Sequence, residues 1–197
     1  MYKIILASGS PRRKEIFEQI GIDFSVVISE DEEVIQKSRP DEIVEELATK
    51  KACSVAADME EGTIVIGADT MVALDGQVMG KPKNEQDAKD MIGKLQGKKH
   101  QVYTGVCAVI KEIGKEERII RFVQCTDVWV YPMTEEQIDA YVATGEPMDK
   151  AGAYGIQGKF AVHIEKVEGE YLNIVGFPIS KLYQTLMKEG IGLLSFK

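Results

Sequence analysis

Apolar residues recur along this 197-residue chain in two ways, as short unbroken runs and as runs spaced by three and four. YKIILA, residues 2–7, is the first unbroken run and reads as a buried strand. Ser10 then takes an N-cap position and Pro11 the first helical one, where a missing N–H costs nothing. That helix is predicted to run to about Ile20 and to stop at Gly21. FSVVIS (24–29) is a second strand. RPDEIVEELATKKACSVAADM (39–59) carries Ile43, Val44, Leu47, Ala48 and Ala52 at helical spacing. TIVIGADTMVAL (63–74) reads as two strand pieces broken near Gly67, followed by a hairpin turn at Asp75-Gly76.

The second half continues the alternation. NEQDAKDMIGKLQG is a helix capped by Asn84. HQVYTGVCAVIKEI and RIIRFVQCTDVWVYP are two long strands joined around Gly114. TEEQIDAYVATG opens with a capping box, Thr134 and Gln137. Residues 145–158 are glycine-rich and irregular, FAVHIEKV and YLNIVG read as strands, and a last helix starts near Pro178. Parallel-capable strands alternating with helices, plus a long central hairpin, predict a mixed α/β (α+β) sheet flanked by helices. Residues 1–197 form one domain on this reading, with the hairpin able to build a second lobe.

Composition narrows the function classes. Lys and Arg number 24 against 32 Asp and Glu, a formal charge of −8. A chain this acidic repels nucleic acid as a whole, so binding phosphate requires a local cationic cluster. Cys53, Cys107 and Cys125 form no Cys-x-x-Cys pair and are odd in number, as for reduced thiols in the cytoplasm. No apolar run approaches the ~20 residues of a membrane span. The N-terminus lacks a signal-peptide core and suits a strand better.

Several signatures are missing. His100 and His163 stand far apart, so there is no zinc-binding His-Glu-x-x-His helix. GQVMGKP is one residue too short for a phosphate-binding P-loop, and its proline replaces the magnesium-binding Ser/Thr. The glycines of GAYGIQG lack the dinucleotide-binding spacing.

The stretch LASGSPRRKEI is unusual. Ser8, Gly9 and Ser10 offer hydroxyls and close backbone approach, and the helix start offers unpaired N–H groups. Arg12 and Arg13 in its first turn oppose the helix dipole at a cost of ~0.3–1 kcal/mol. The stretch reads as an anion site or as two solvated arginines. Asp69 follows an apolar strand, where a carboxylate is a turn cap, a metal ligand or a proton acceptor. Lys81 in MGKPK is a loop lysine or a phosphate ligand. Lys50 and Lys51 carry the same ambiguity. The run Glu30, Asp31, Glu32, Glu33 is a solvated loop or holds one metal ligand. DKAGAYGIQG implies tight turns or close ligand approach. Together these groups would equip metal-assisted attack of water on a phosphoryl group.

LASGSPRRKEI, GADTMV, GKP, DKAGAYGIQG and NIVGFP occur in the order seen in the Maf family of nucleoside triphosphate pyrophosphatases, which the chain resembles from about residue 3 to 188. The resemblance implies the fold of inosine-triphosphate pyrophosphatases, an elongated mixed sheet flanked by helices with a central cleft. It implies cleavage between the α and β phosphates with a divalent cation, Mg²⁺ or Mn²⁺. Asp69 would be the proton acceptor. Ser8, Arg13, Lys51 and Lys81 would contact phosphate, and Glu33 with Asp69 would hold the metal, Glu32 being the alternative acid. Arg12, Thr70 and Gln157 match the base-selecting positions of the branch acting on dTTP and UTP rather than 7-methyl-GTP. The family's links to removal of modified nucleotides, septum formation and division arrest leave a second reading, a nucleotide sensor acting through partner binding. Expected partners are the nucleotide and a second copy of the chain in a homodimer, not nucleic acid or membrane.

Overall fold

The computed structural model describes residues 2–29 and 35–194. Glu32 and Glu33, with the rest of the acidic run, lie outside the described residues. In chain order the elements are β1 (Lys3–Ala7), α1 (Pro11–Gln19), β2 (Phe24–Val26), α2 (Pro40–Ala57), β3 (Thr63–Leu74), β4 (Gln77–Met79), α3 (Glu85–Leu95), β5 (Lys99–Lys111), β6 (Arg118–Val130) and α4 (Glu135–Val142). Three short 3₁₀ segments follow at Glu146–Asp149, Ala151–Ala153 and Lys159–His163, then β7 (Ile164–Glu168), α5 (Tyr171–Val175) and α6 (Ile179–Lys188).

The strands form one mixed sheet in the order β2-β1-β3-β5-β6-β7, with β4 paired to β3. β1 lies parallel to both β2 and β3, and all other pairs are antiparallel. Helices cover both faces. On one, α2 packs Ala48, Ala52 and Val55 against Ile5, Val65 and Val109. On the other, Phe17 of α1, Ile92 and Leu95 of α3 and Leu182 of α6 pack with Leu6, Ile66 and Val106.

β3 is one strand, unbroken at Gly67, where two pieces were expected. That glycine serves helix packing instead. A Cβ on Gly67 would sit 2.5 Å from the Ala48 carbonyl and 2.7 Å from the Ala52 nitrogen, and one on Gly105 would overlap the Val44 carbonyl. The missing side chains let α2 lie directly on the sheet.

Three other expectations change. FSVVIS is strand only over Phe24–Val26. FAVH is part of a 3₁₀ turn leading into β7, which starts at Ile164. YLNIV is a short helix, α5, closed by Gly176 at φ 125°. Its isoleucine and valine favour a strand locally, but the buried Asn173 docks the segment, donating to the Val102 carbonyl and the Thr126 hydroxyl. Tertiary contacts override the local preference. The three cysteines are free thiols, and burial pushes Cys107 up to about 11. Among the described residues no helix is long and apolar enough to cross a membrane.

Candidate active site

The cleft begins with a gap in the sheet. β1 accompanies β3 only as far as the pair Ala7–Gly67, and β4 joins the same edge at Val72. Between them, residues 68–71 of β3 have a strand partner only on the β5 side. The gap opens at the carboxyl end of β1, the position where open α/β sheets place their ligands. Asp69 and Thr70 lie in it, and strand alternation sends their side chains to opposite faces.

Asp69 faces α2. Because α2 lies so close to the sheet, Lys51 reaches over and donates to Asp69 Oδ1 at 2.6 Å, with both side chains mostly buried. That contact engages one carboxylate oxygen, and Asp69 also lines the cleft. Thr70 faces the other way, into a network around Arg13. Arg13 Nε donates to the Gly176 carbonyl at 2.8 Å, Nη1 to the Ser8 hydroxyl at 2.9 Å and Nη2 to Thr70 Oγ1 at 3.0 Å. Thr70 Oγ1 also lies 2.9 Å from Thr104 Oγ1.

The arginine pair of the first helical turn therefore divides. Arg13 is 8% exposed and pins α1, β1, β3 and the end of α5 together. Arg12 stays half-exposed and meets Asp149 at 3.4 Å across the cleft. The conflict with the helix dipole is relieved inside the protein, by three oxygens for Arg13 and a carboxylate for Arg12. Ser10 occupies the N-cap position as expected but makes no side-chain cap bond, and lines the cleft instead.

Two adjoining cavities fill the cleft. The larger, about 670 Å³, holds seven of the predicted residues, Arg12, Arg13, Lys51, Asp69, Thr70, Lys81 and Gln157. The smaller, about 350 Å³, adds Ser8 beside Gly9 and Ser29. Arg12, Arg13, Lys51 and Lys81 line both. Lys81 is exposed and has no ion-pair partner among the described residues. The far end of the larger cavity is more apolar, with Val72, Val102, Ile156 and Ile174. The combined shape suits a long anion attached to a flat, partly apolar group, within the usual size of ligand sites. Glu33 lies outside the described residues. Among those described, no group of three His, Cys, Asp or Glu could hold a metal.

Sequence reasoning marked the second wall of the cleft through DKAGAYGIQG and Gln157 but assigned no role to its other side chains. Glu146, Asp149, Lys150 and Tyr154 all line the larger cavity. Asp149 Oδ1 accepts from Lys150 at 2.6 Å while Oδ2 faces Arg12, and these two cations hold its carboxyl below the usual range. Tyr154 Oη lies 2.8 Å from Nε2 of His100, whose Nδ1 has no partner. Burial keeps Tyr154 protonated and pushes His100 down to about 4, so the imidazole is neutral at physiological pH. The glycines of DKAGAYGIQG were the signal for this wall. They mark where the chain folds tightly, but not which side chains pack against it.

Comparison with known proteins follows the same outline. A family model described as Maf-like protein matches residues 3–189. A dTTP/UTP pyrophosphatase of Lachnoclostridium phytofermentans is 50% identical over 194 residues, covering 98% of both chains. A dTTP/UTP pyrophosphatase of Agathobacter rectalis is 47% identical over 203 residues, covering 97% of this chain and 99% of its own. Among solved structures, a HAM1 protein from Coxiella burnetii superposes with a TM-score of 0.50 at 12% identity, covering 95% of this chain and 100% of that one. That likeness extends to the fold alone, and it is the mixed-sheet fold that the sequence resemblance implied.

Proposed function

The chain belongs to the Maf family, and from that premise we propose that it hydrolyses dTTP and UTP to the nucleoside monophosphate and pyrophosphate. Relatives of near-equal length and about half-identical sequence carry that name. The observation that carries the reading is the gap beside β3, between β1 and β4, where Asp69 meets Lys51 beside Lys81 and Arg12 at a partly apolar pocket.

In this reading the triphosphate lies along the cations shared by the two cavities. Lys81, Arg12 and Lys51 offset its charge, while Ser8, Ser10 and the first turn of α1 supply donors. Arg13 works mainly by holding Ser8, Thr70 and Gly176 in place. The base enters the larger cavity, with Gln157 at its edge. Asp69 Oδ1 is held by Lys51, so Oδ2 is the atom able to accept a proton from water attacking the phosphoryl group.

The donor set fits a divalent cation. Mg²⁺ typically takes one or two protein carboxylates and completes its shell with water and substrate phosphates, so Asp69 and one further carboxylate would suffice. Asp69, with Glu33 from the acidic run, would hold the ion, which when bound neutralises charge on the phosphate oxygens. Action in the cytoplasm, where nucleotides and reduced thiols coexist, fits the three free cysteines.

Product analysis of UTP turnover with and without Mg²⁺ or Mn²⁺ tests the reading. UMP and pyrophosphate are expected, dependent on the metal. UDP and orthophosphate, or tight binding without turnover, would reject it, and the latter outcome would favour a nucleotide sensor.

A further inference from the structure

Gln157 is exposed and sits in a turn between Gly155 and Gly158, beside the buried Ile156, with the Gly158 N–H donating to the Gly155 carbonyl at 3.1 Å. A specificity amide on a free glycine loop would adopt many orientations and select poorly. The loop is not free. On its N-terminal side Tyr154 is buried against His100. On its C-terminal side the backbone N–H of Lys159 donates to Glu146 Oε2 at 2.9 Å. The other oxygen of that carboxylate, Oε1, accepts from the Tyr141 hydroxyl at 3.1 Å. Glu146 is itself held at its backbone, its carbonyl accepting from Lys150 Nζ at 2.7 Å.

Gly158 is what admits this carboxylate. A Cβ at 158 would overlap the Glu146 carboxylate, so any side chain there would push it off the loop. Gly155 makes the matching space for the stem of Lys150, whose Cε would lie 2.7 Å from a Cβ at 155. Two of the three glycines in GAYGIQG therefore make room for the side chains of Glu146 and Lys150. Glu146 also lines the cavity, so its carboxylate links α4 to the wall of the pocket.

We infer that Glu146 is the positioning residue for base selection: its carboxylate clamps the Gly155–Gly158 loop and so fixes the direction of the Gln157 amide. The inference rests on the reading of Gln157 as the group that meets the base. Both carboxylate oxygens already serve protein donors, so Glu146 acts through the loop and not on the substrate. Glutamine can replace it. An amide with its oxygen toward the Lys159 N–H can turn its NH₂ toward the Tyr141 oxygen, which accepts as well as donates.

The experiment measures kcat and KM for UTP and CTP with the full chain, for wild type, Glu146→Ala, Glu146→Asp and Glu146→Gln, with melting curves throughout. Loss of one well-placed hydrogen bond corresponds to about tenfold in discrimination. Glu146→Ala should lower the UTP-to-CTP ratio of specificity constants by about that factor, mainly through a higher KM for UTP. Glu146→Gln should restore the ratio. Glu146→Asp, whose shorter arm cannot reach Lys159, should fall between them and keeps the test open if the alanine variant does not fold. An unchanged ratio in both Glu146→Ala and Glu146→Asp, or equal losses on UTP and CTP, overturns the inference. So does a glutamine variant that behaves like alanine. A wild type that turns over UTP and CTP equally overturns the proposed base assignment and this inference with it. A wild type that discriminates, beside variants that discriminate equally well, overturns the inference alone.

Discussion

The two walls of the cleft are built by different means. The phosphate-side wall comes from β1, the start of α1, α2 and β3, and Arg12, Arg13, Lys51, Asp69 and Thr70 ride on regular backbone, with Ser8, Ser10 and Lys81 on the turns beside it. The base-side wall runs from Gly145 to Gly158 through tight turns, with positive φ at Gly145, Gly152 and Ala153. On the first wall, position follows from periodicity: Asp69 and Thr70 are neighbours in a strand and must face opposite ways. On the second, position depends on side chains that reach across to distant partners, Tyr154 to the buried His100 and Glu146 to the backbone of Lys159. A strand or helix holds its side chains through many shared backbone bonds. A loop held at two points loses its geometry when either point fails. The first wall should therefore fail in chemistry or in folding, and the second in selectivity.

The largest expected effect lies on the phosphate side. Asp69→Asn keeps the shape but removes the charge that faces Lys51 and the acceptor that faces the cleft. Turnover of UTP should fall at least ~100-fold, the low end for losing a general base or metal ligand, with the melting temperature nearly unchanged. Near-normal turnover would make Asp69 a structural partner of Lys51 only.

Next is Arg13→Ala, which should unfold what it pins. It removes hydrogen bonds to the Gly176 carbonyl and to the Ser8 and Thr70 hydroxyls and empties a buried site, a loss of about 3 kcal/mol in stability. Arg12→Ala, one residue away, removes a half-exposed 3.4 Å ion pair, for which a change within about 1 kcal/mol is the norm. Denaturant melts of the two variants compare them directly. Equal losses would mean that the burial of Arg13 carries no stability.

His100 supports the base-side wall from below and gives it a pH dependence. Its folded pKa, about 4, lies below its ordinary 6.5 because burial disfavours the imidazolium, and Asp127 only partly opposes this. The unfolded chain therefore binds a proton between those values that the folded protein does not, so stability falls as pH drops below 6.5 and the loss is complete below about 4. At pH 5 the term amounts to about 2 kcal/mol relative to pH 8. His100→Asn removes it, so the variant's stability should decline less steeply with acid than the wild type's. Parallel slopes would show that His100 takes up its proton in the folded protein as readily as in the unfolded chain.

The same contrast explains what was legible in the sequence. β1, α1, α2 and the long β5–β6 pair follow from apolar spacing and caps, and Ser8, Arg12, Lys51, Asp69 and Lys81 converge as the motif order implied. Gly67 was misread because a glycine in a strand signals either a break or a close approach, and only the position of α2 decides between them. Arg13 reads as a second copy of Arg12 in sequence. Its burial depends on the Gly176 carbonyl, 163 residues away. Tyr154 lies in a motif that the glycines mark and Glu146 lies outside it, but the partners of both, His100 and Lys159, are set by tertiary packing.

Tyr154→Phe makes the smallest and most selective change to the second anchor. It removes one oxygen from a buried site and keeps the ring that packs against Phe160. His100 already has one unpartnered ring nitrogen, Nδ1, and would then have two. The cost of an unsatisfied buried group gives a loss of about 1 kcal/mol, the low end because the neutral imidazole is a weak partner. Replacing His100 by leucine as well removes the unpaired nitrogens, and apolar exchange of both partners is close to neutral. The double variant should therefore recover part of the stability lost in Tyr154→Phe. Selectivity should behave otherwise. If the Tyr154 hydroxyl matters because it tethers the Gln157 loop, the double variant regains stability without regaining the UTP-to-CTP ratio, since the tether is still gone. If the ratio returns together with stability, the loop needs only a well-packed floor, and Glu146 alone sets the direction of Gln157.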